Sequence, residues 1–316
     1  MHFSAGASSN SWQPVVLSDS TEAYYWLKWR VLLCALWVLA SVLAASILIW
    51  KFEGSKTEGE TREGFRCNKD ELWRPCLPEI HPAWLLLFRL TAFVILLAFL
   101  IINAIVDGAG IFYYYTQWTF MLVTIYFLLG SLMSAYGCKH LKANSEDKVR
   151  LDAEARTYAA PVNGTVGCWG TLFQIIFQTS AGAVMLTDFV FWFILFPFLA
   201  IKDYSLNFVL VGMHSVNVVF LLGDTALNSL SFPWFRIAYF LLWTAVYVLF
   251  QWVIHACINI WWPYPFLDLS SPYAALWYFL VAMMHIPCYA AFGLIVKMKH
   301  VLLSRWFPES YSSSLE

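Results

Sequence analysis

Charge is what this chain has least of. Only 12% of its 316 residues are Asp, Glu, Lys or Arg, about half the share of an ordinary soluble domain. So few charges exclude a disordered or collagen-like chain and leave no way to cover a cytosolic enzyme of this size. The balance is also flat, 19 basic against 20 acidic residues, so overall charge gives no support to nucleic-acid binding. No P-loop and no Rossmann glycine run is present. The third apolar run lacks a D/E-R-Y ending and the seventh lacks N-P-x-x-Y, which counts against a seven-helix receptor. No inverted repeat points to a transporter. The first 25 residues are polar and Ser-rich without a basic stretch, and read as a tail rather than a signal peptide. Neither K-D-E-L nor C-a-a-X stands at the C-terminus.

What the chain does have is apolar surface: 60% hydrophobic residues, with 17 Trp, 16 Tyr and 26 Phe. Seven runs are long enough, at about 1.5 Å per residue, to cross a hydrocarbon core of about 30 Å. They cover roughly 26–50, 83–106, 117–137, 171–201, 206–227, 234–258 and 273–297. Their residues are apolar in succession rather than in alternation, which excludes a transmembrane barrel. The expected fold is all-α, a polytopic transmembrane bundle of about seven helices. Residues 1–25 form a polar tail, 26–300 a single bundle, and 301–316 a second tail. In the polar connection 138–168, the run Glu146–Arg150 suits a short surface helix.

Basic residues set the expected orientation. Six fall in 51–82, five in 138–170, and four more are Arg236, Lys297, Lys299 and Arg305, so 15 of 19 share one side when the N-terminus is outside. Lys28 and Arg30 vote the other way. This places Cys67, Cys76, Cys138 and Cys168 in the cytosol as thiols and predicts no structural disulfide. It also puts the Asn163-Gly164-Thr165 sequon on the side that is not glycosylated. Endoplasmic reticulum and plasma membrane both fit.

Ionisable and amide groups inside a span are costly and mark candidate sites. On the fifth run Asn207, His214, Asn217, Asp224 and Asn228 share about 100° of a helix face. Tyr247, Gln251 and His255 form a second stripe. Gln174, Gln178 and Asp188 form a third, and His285 with Tyr289 a fourth, around Pro287. Four inward polar faces imply a hydrogen-bonded central cavity, although interhelical packing accounts for any single stripe. Asp188 is a candidate partner for Arg89. Thr119 lies about one turn inside the third run and His214 about 12 Å down the fifth. With His255, both belong to the outer half of the bilayer. A Thr hydroxyl beside a neutral His is a candidate nucleophile with its base. Three His residues suffice for zinc, but no H-x-x-x-H pair ties His214, His255 and His285 together, and no cofactor is expected.

The segments Tyr115-Thr116-Gln117-Trp118-Thr119-Phe120, Gly212-Met213-His214 and Trp262-Pro263-Tyr264-Pro265-Phe266-Leu267 resemble one family. It is the androgen-induced / androgen-dependent TFPI-regulating protein family, in the group that includes the rolling stone proteins. The wording YYTQWTF…YFLLGSLMSAYG and FPWFRIAYFLLWT…WWPYPFLDL resembles its plant rolling-stone-like branch, and the resemblance covers about residues 83–300. It implies a six-helix core with the first helix added. Characterised animal members are intramembrane threonine hydrolases of fatty acid esters of hydroxy fatty acids. The resemblance therefore implies Thr119 as nucleophile, His214 as base, and a lipid ester as substrate. Trp118 directly precedes Thr119, whereas the animal proteins place the Trp further upstream, so Thr116 competes for the nucleophile position. Gln117, Asn217 and Tyr264 are candidate oxyanion donors; Gln251, His255, Asp188 and His285 are candidate cavity lining. The rolling stone side is associated with cell-surface roles in myoblast fusion, which implies the alternative of a non-catalytic membrane scaffold or adhesion-type protein.

Overall fold

The computed structural model describes residues 19–54, 69–151, 168–197 and 208–308. Among them it is helical throughout, with no strand beyond one isolated bridge between Pro75 and Asn228. The helices are α1 (Trp29–Ile49), α2 (Pro82–Asp107), α3 (Tyr115–Leu151), α4 (Cys168–Phe189), α5 (Phe208–Met213), α6 (Val216–Leu227), α7 (Ile237–Cys257) and α8 (Ala274–Trp306). Counting α5 and α6 as one interrupted span, seven segments are long and apolar enough to cross a membrane. The protein is an all-α polytopic bundle.

Local chemistry sets several helix ends. Pro82 opens α2, where its missing N–H costs nothing, and the His81 ring accepts from the Ala83 N–H at 3.2 Å. Gly108 closes α2 at φ +72°, a conformation a side chain resists. The last carbonyls of α6 are capped by the Lys299 ammonium, which donates to Thr225 O at 3.0 Å and Asn228 O at 2.8 Å.

Helix α4 sits at the centre, packed against α3, α6, α7 and α8. Its middle reads Ser180-Ala181-Gly182-Ala183, and small residues let membrane helices approach closely. A Cβ on Gly182 would lie 2.5 Å from the Phe240 ring of α7. At the other extreme α1 is peripheral. It leans on α7 and α8 and buries little of its surface. Its exposed Leu32, Leu36 and Leu39 suit lipid contact.

Two ionic clusters lock the end of the bundle that carries Leu72. Arg89 of α2, fully buried, donates from Nε to Asp224 Oδ1 at 2.7 Å, and from Nη1 to Leu72 O and Ser134 Oγ, each at 2.9 Å. Tyr126 donates to Asp224 Oδ2, and Asn228 does so at 2.8 Å. Nearby, Arg236 pairs with Glu53 at 2.8 Å and donates to Gln174 and Gln178 at 3.1 Å each.

Several sequence expectations change here. Arg89 takes Asp224, not Asp188, because the fully buried guanidinium sits at the Leu72 end while Asp188 is near the far end of α4. The fifth run is not one helix: it breaks at His214–Ser215. The fifth-run stripe is buried but divides, with Asp224 and Asn228 at the Arg89 cluster and His214 and Asn217 elsewhere. The four stripes thus feed separate clusters rather than one central cavity. The run Glu146–Arg150 continues α3 without interruption to Leu151. The final helix extends to Trp306, into the segment read as a tail. Residues of the first tail also pack, since Tyr25 is buried and donates to Asp268 at 3.2 Å. Burial first, and then the Asp268 carboxylate, push the Tyr25 phenol above its ordinary value. Six cysteines are free; Cys67, Asn163 and Asn207 lie outside the described residues.

Candidate active site

At the opposite end of the bundle two spans lose regular helical geometry at the same place. Helix α4 passes into a π-helical stretch, Val190–Leu195, one residue after Phe189. The α5–α6 break exposes backbone groups that an apolar surrounding cannot satisfy. The protein supplies partners instead: Trp192 Nε1 donates to His214 O at 3.0 Å, and Asn217 Oδ1 accepts from the Val218 N–H at 2.8 Å. Irregular backbone of this kind is tolerated in spans where it is buried in protein, and π-helical stretches are frequent at functional sites.

Between the two irregularities lie Asp188 and His214. Asp188 Oδ1 is 3.6 Å from His214 Nδ1. The imidazole stacks flat on Phe191, with centroids 3.7 Å apart and planes 1° from parallel. Asn217 and Thr187 also border the carboxylate. Both Asp188 oxygens, His214 Nδ1 and Asn217 Nδ2 are shut off from solvent with no hydrogen-bond partner. Buried polar groups in native proteins are nearly always paired, and each orphan costs about 1–3 kcal/mol. The four atoms sit on adjoining side chains, and the loosely paired cluster they form is a candidate site.

Helix α3 reaches this place through Gln117, whose Nε2 donates to the Met213 thioether Sδ at 3.3 Å. Gln117 Oε1 is another buried orphan, and so is Thr119 Oγ1. Thr119 is fully buried and forms no hydrogen bond with His214. One turn back on α3, the Tyr115 phenol borders the Thr119 hydroxyl. Thr116 is half-buried and shares a 3.4 Å hydrogen bond with Tyr264; burial pushes the Tyr264 phenol up.

The remaining candidates sort elsewhere. Gln251 Nε2 donates to Tyr113 O at 2.7 Å. His255 stacks on Trp262 at 3.6 Å, and its Nδ1 meets the Gln251 carbonyl at 2.7 Å. His285 Nδ1 meets the Val281 carbonyl at 2.8 Å and must donate there, because a carbonyl only accepts. Its Nε2 then accepts from Thr244 at 2.8 Å. His214, His255 and His285 thus have three different surroundings, and the described residues hold no group of three His, Cys, Asp or Glu side chains able to bind a metal.

The Asp188–His214 pair escaped sequence reasoning because helical periodicity treats each span as unbroken. Gly212, whose Cβ would lie 2.4 Å from the Phe99 ring, was the only local signal of tight packing at the break. No family model matches this chain, and no curated protein and no solved structure matches it either.

Proposed function

We propose that this multi-pass membrane protein is an intramembrane hydrolase of lipid esters, with Thr119 as nucleophile, His214 as base and Asp188 as the residue that orients His214. The observation that carries the reading is the Asp188–His214 pair, held between two broken spans with its polar atoms unsatisfied. An acid on Nδ1 fixes the tautomer that leaves Nε2 free to take a proton. Thr119 supports it only as a buried hydroxyl without a partner; at i+2 from Gln117 it lies on another face of α3, beside Tyr115, so productive contact with His214 requires the substrate-bound arrangement. The resemblance of Gly212-Met213-His214 to the threonine-hydrolase family supports the same roles.

In the reaction, His214 Nε2 takes the Thr119 proton as Oγ1 bonds to the ester carbonyl carbon. The imidazolium gives that proton to the departing alkoxide oxygen as the C–O bond breaks, and the acyl group stays on Thr119. Water then attacks the acyl carbon, losing its proton to His214. The Thr119 oxygen leaves, is reprotonated, and fatty acid is released. Of the three candidate oxyanion donors, Asn217 is the one whose Nδ2 is buried without an acceptor. Purified protein in proteoliposomes should hydrolyse fatty acid esters of hydroxy fatty acids, and Thr119→Ala and His214→Ala should each abolish turnover. Thr116→Ala should retain it; its loss there, with Thr119→Ala active, moves the nucleophile to Thr116. Activity surviving both Thr119→Ala and His214→Ala removes the reading.

One observation favours a second reading, a non-catalytic scaffold or adhesion-type protein. Most intramembrane polar groups, those around Arg89, Arg236 and His285 above all, are engaged in helix-to-helix pairing. A hydroxyl-directed activity probe separates the two: labelling lost on Thr119→Ala supports the hydrolase, and no labelling of wild type supports the scaffold.

A further inference from the structure

A cleft of about 50 Å³ lies between α1, α7 and α8, lined among others by Trp37, Ser41, Thr244, Val248, Tyr278 and His285. It is remote in composition from the Asp188–His214 pair and shares no lining residue with it. Its polar groups are already satisfied: His285 Nε2 accepts from Thr244, and the Tyr278 hydroxyl, which accepts from Trp252 at 2.9 Å, donates to Leu267 O at 3.1 Å. Such a lining offers an incoming molecule hydrocarbon contact and little else. The cleft also belongs to the lipid-facing side of the bundle, because Trp37 is 39% exposed and α1 buries little of its surface. In a bilayer, what meets that side is an acyl chain.

The sequence adds a charge at one end. Arg30, Trp37 and Ser41 are spaced i, i+7 and i+11, which places them within about 40° on one face of α1. Arg30 stands at the start of that face, about 10 Å from Trp37 along the helix. It donates from Nη1 to Ser270 O at 3.1 Å, on the loop whose Phe266 and Leu267 also line the cleft. Among the described residues it forms no ion pair. Asp268 on that loop is engaged by the Tyr25 hydroxyl and by the Ser270 N–H. A half-buried guanidinium heading an apolar groove matches a carboxylate on a hydrocarbon tail. The enclosed volume takes in only part of one chain, and the rest lies along the exposed face of α1.

We propose that this cleft binds one long-chain fatty-acid anion from the surrounding bilayer, its chain between α1, α7 and α8 and its carboxylate on Arg30. The site does not depend on Thr119 being a nucleophile.

The test uses the full chain in phosphatidylcholine proteoliposomes and a palmitate analogue carrying a diazirine near its methyl end and an alkyne handle. After irradiation, adducts should concentrate in peptides of α1, α7 and α8, and unlabelled palmitate should compete them away. Ala282→Trp and Ser41→Phe, which fill the cleft from opposite walls, should each remove the adducts, while Val94→Trp on the lipid face of α2 should not. Arg30→Gln should weaken competition by palmitate about two- to fivefold and leave competition by hexadecanol unchanged. Thr119→Ala should label like wild type. Adducts spread evenly over all lipid-facing segments, adducts that palmitate fails to displace, or labelling unchanged in both filled variants overturns the site. An equal effect of Arg30→Gln on palmitate and hexadecanol overturns the role of Arg30.

Discussion

Among the described residues, two buried acid–base pairs are built on the same interrupted span, and they are opposites. Around Arg89 and Asp224, every hydrogen-bonding atom of the carboxylate has a donor, from Arg89, Tyr126 and Asn228. Around His214 and Asp188, neither carboxylate oxygen has one and the approach is 3.6 Å. Helix α6 carries Asp224 in regular geometry, whereas His214 stands in a break flanked by a π-helical stretch. A buried ion pair with all its valences met holds helices together. One left short of partners carries an energetic cost that packing does not explain, and that difference separates a structural pair from a candidate catalytic one.

The comparison is most sharply broken by removing one partner from each pair. Asp224→Ala strands the Arg89 guanidinium in an apolar interior and should cost about 3–5 kcal/mol, read as a large fall in the thermal unfolding midpoint in detergent. Arg89→Leu combined with Asp224→Leu should recover much of it. Asp188→Asn should do the reverse: stability held or raised, and ester turnover lowered about a hundredfold, close to 2.7 kcal/mol of barrier. Equal destabilisation by Asp224→Ala and Asp188→Asn would make both pairs structural. Gly212→Ala presses a methyl onto the Phe99 ring beside the break and should cost about 1–3 kcal/mol; turnover falling more steeply than stability would tie the position of His214 to activity. Smallest of all, Glu53→Gln at the partly exposed Arg236 pair should shift stability by about 1 kcal/mol or less, with turnover unchanged.

The seven spans were legible because each is a run of apolar residues longer than a bilayer core, a signal that no packing detail can hide. The expected run 83–106 became Pro82–Asp107, and 234–258 became Trp234–Cys257. Individual site residues were legible for a related reason, since polar side chains such as His214 and Asn217 are conspicuous in apolar surroundings. Pairing was not. Which acid meets Arg89 depends on depth and rotation of helices that the sequence leaves open, and Asp224 and Asp188 were both available. The break at His214 has no proline to announce it. Its free carbonyl is covered by Trp192, 22 residues upstream, and local sequence carries no sign of that contact.

The break also bears on how the chain enters a membrane. Helix α5, with six residues, reaches about 9 Å, and α6, with twelve, about 18 Å, so neither crosses a core of about 30 Å unaided. Inserted alone, this span would present the bare His214 carbonyl to lipid, and the Trp192 indole that covers it belongs to the preceding span. Synthesis from the N-terminus delivers α4 first. The fifth span therefore depends on the fourth to cover its broken backbone.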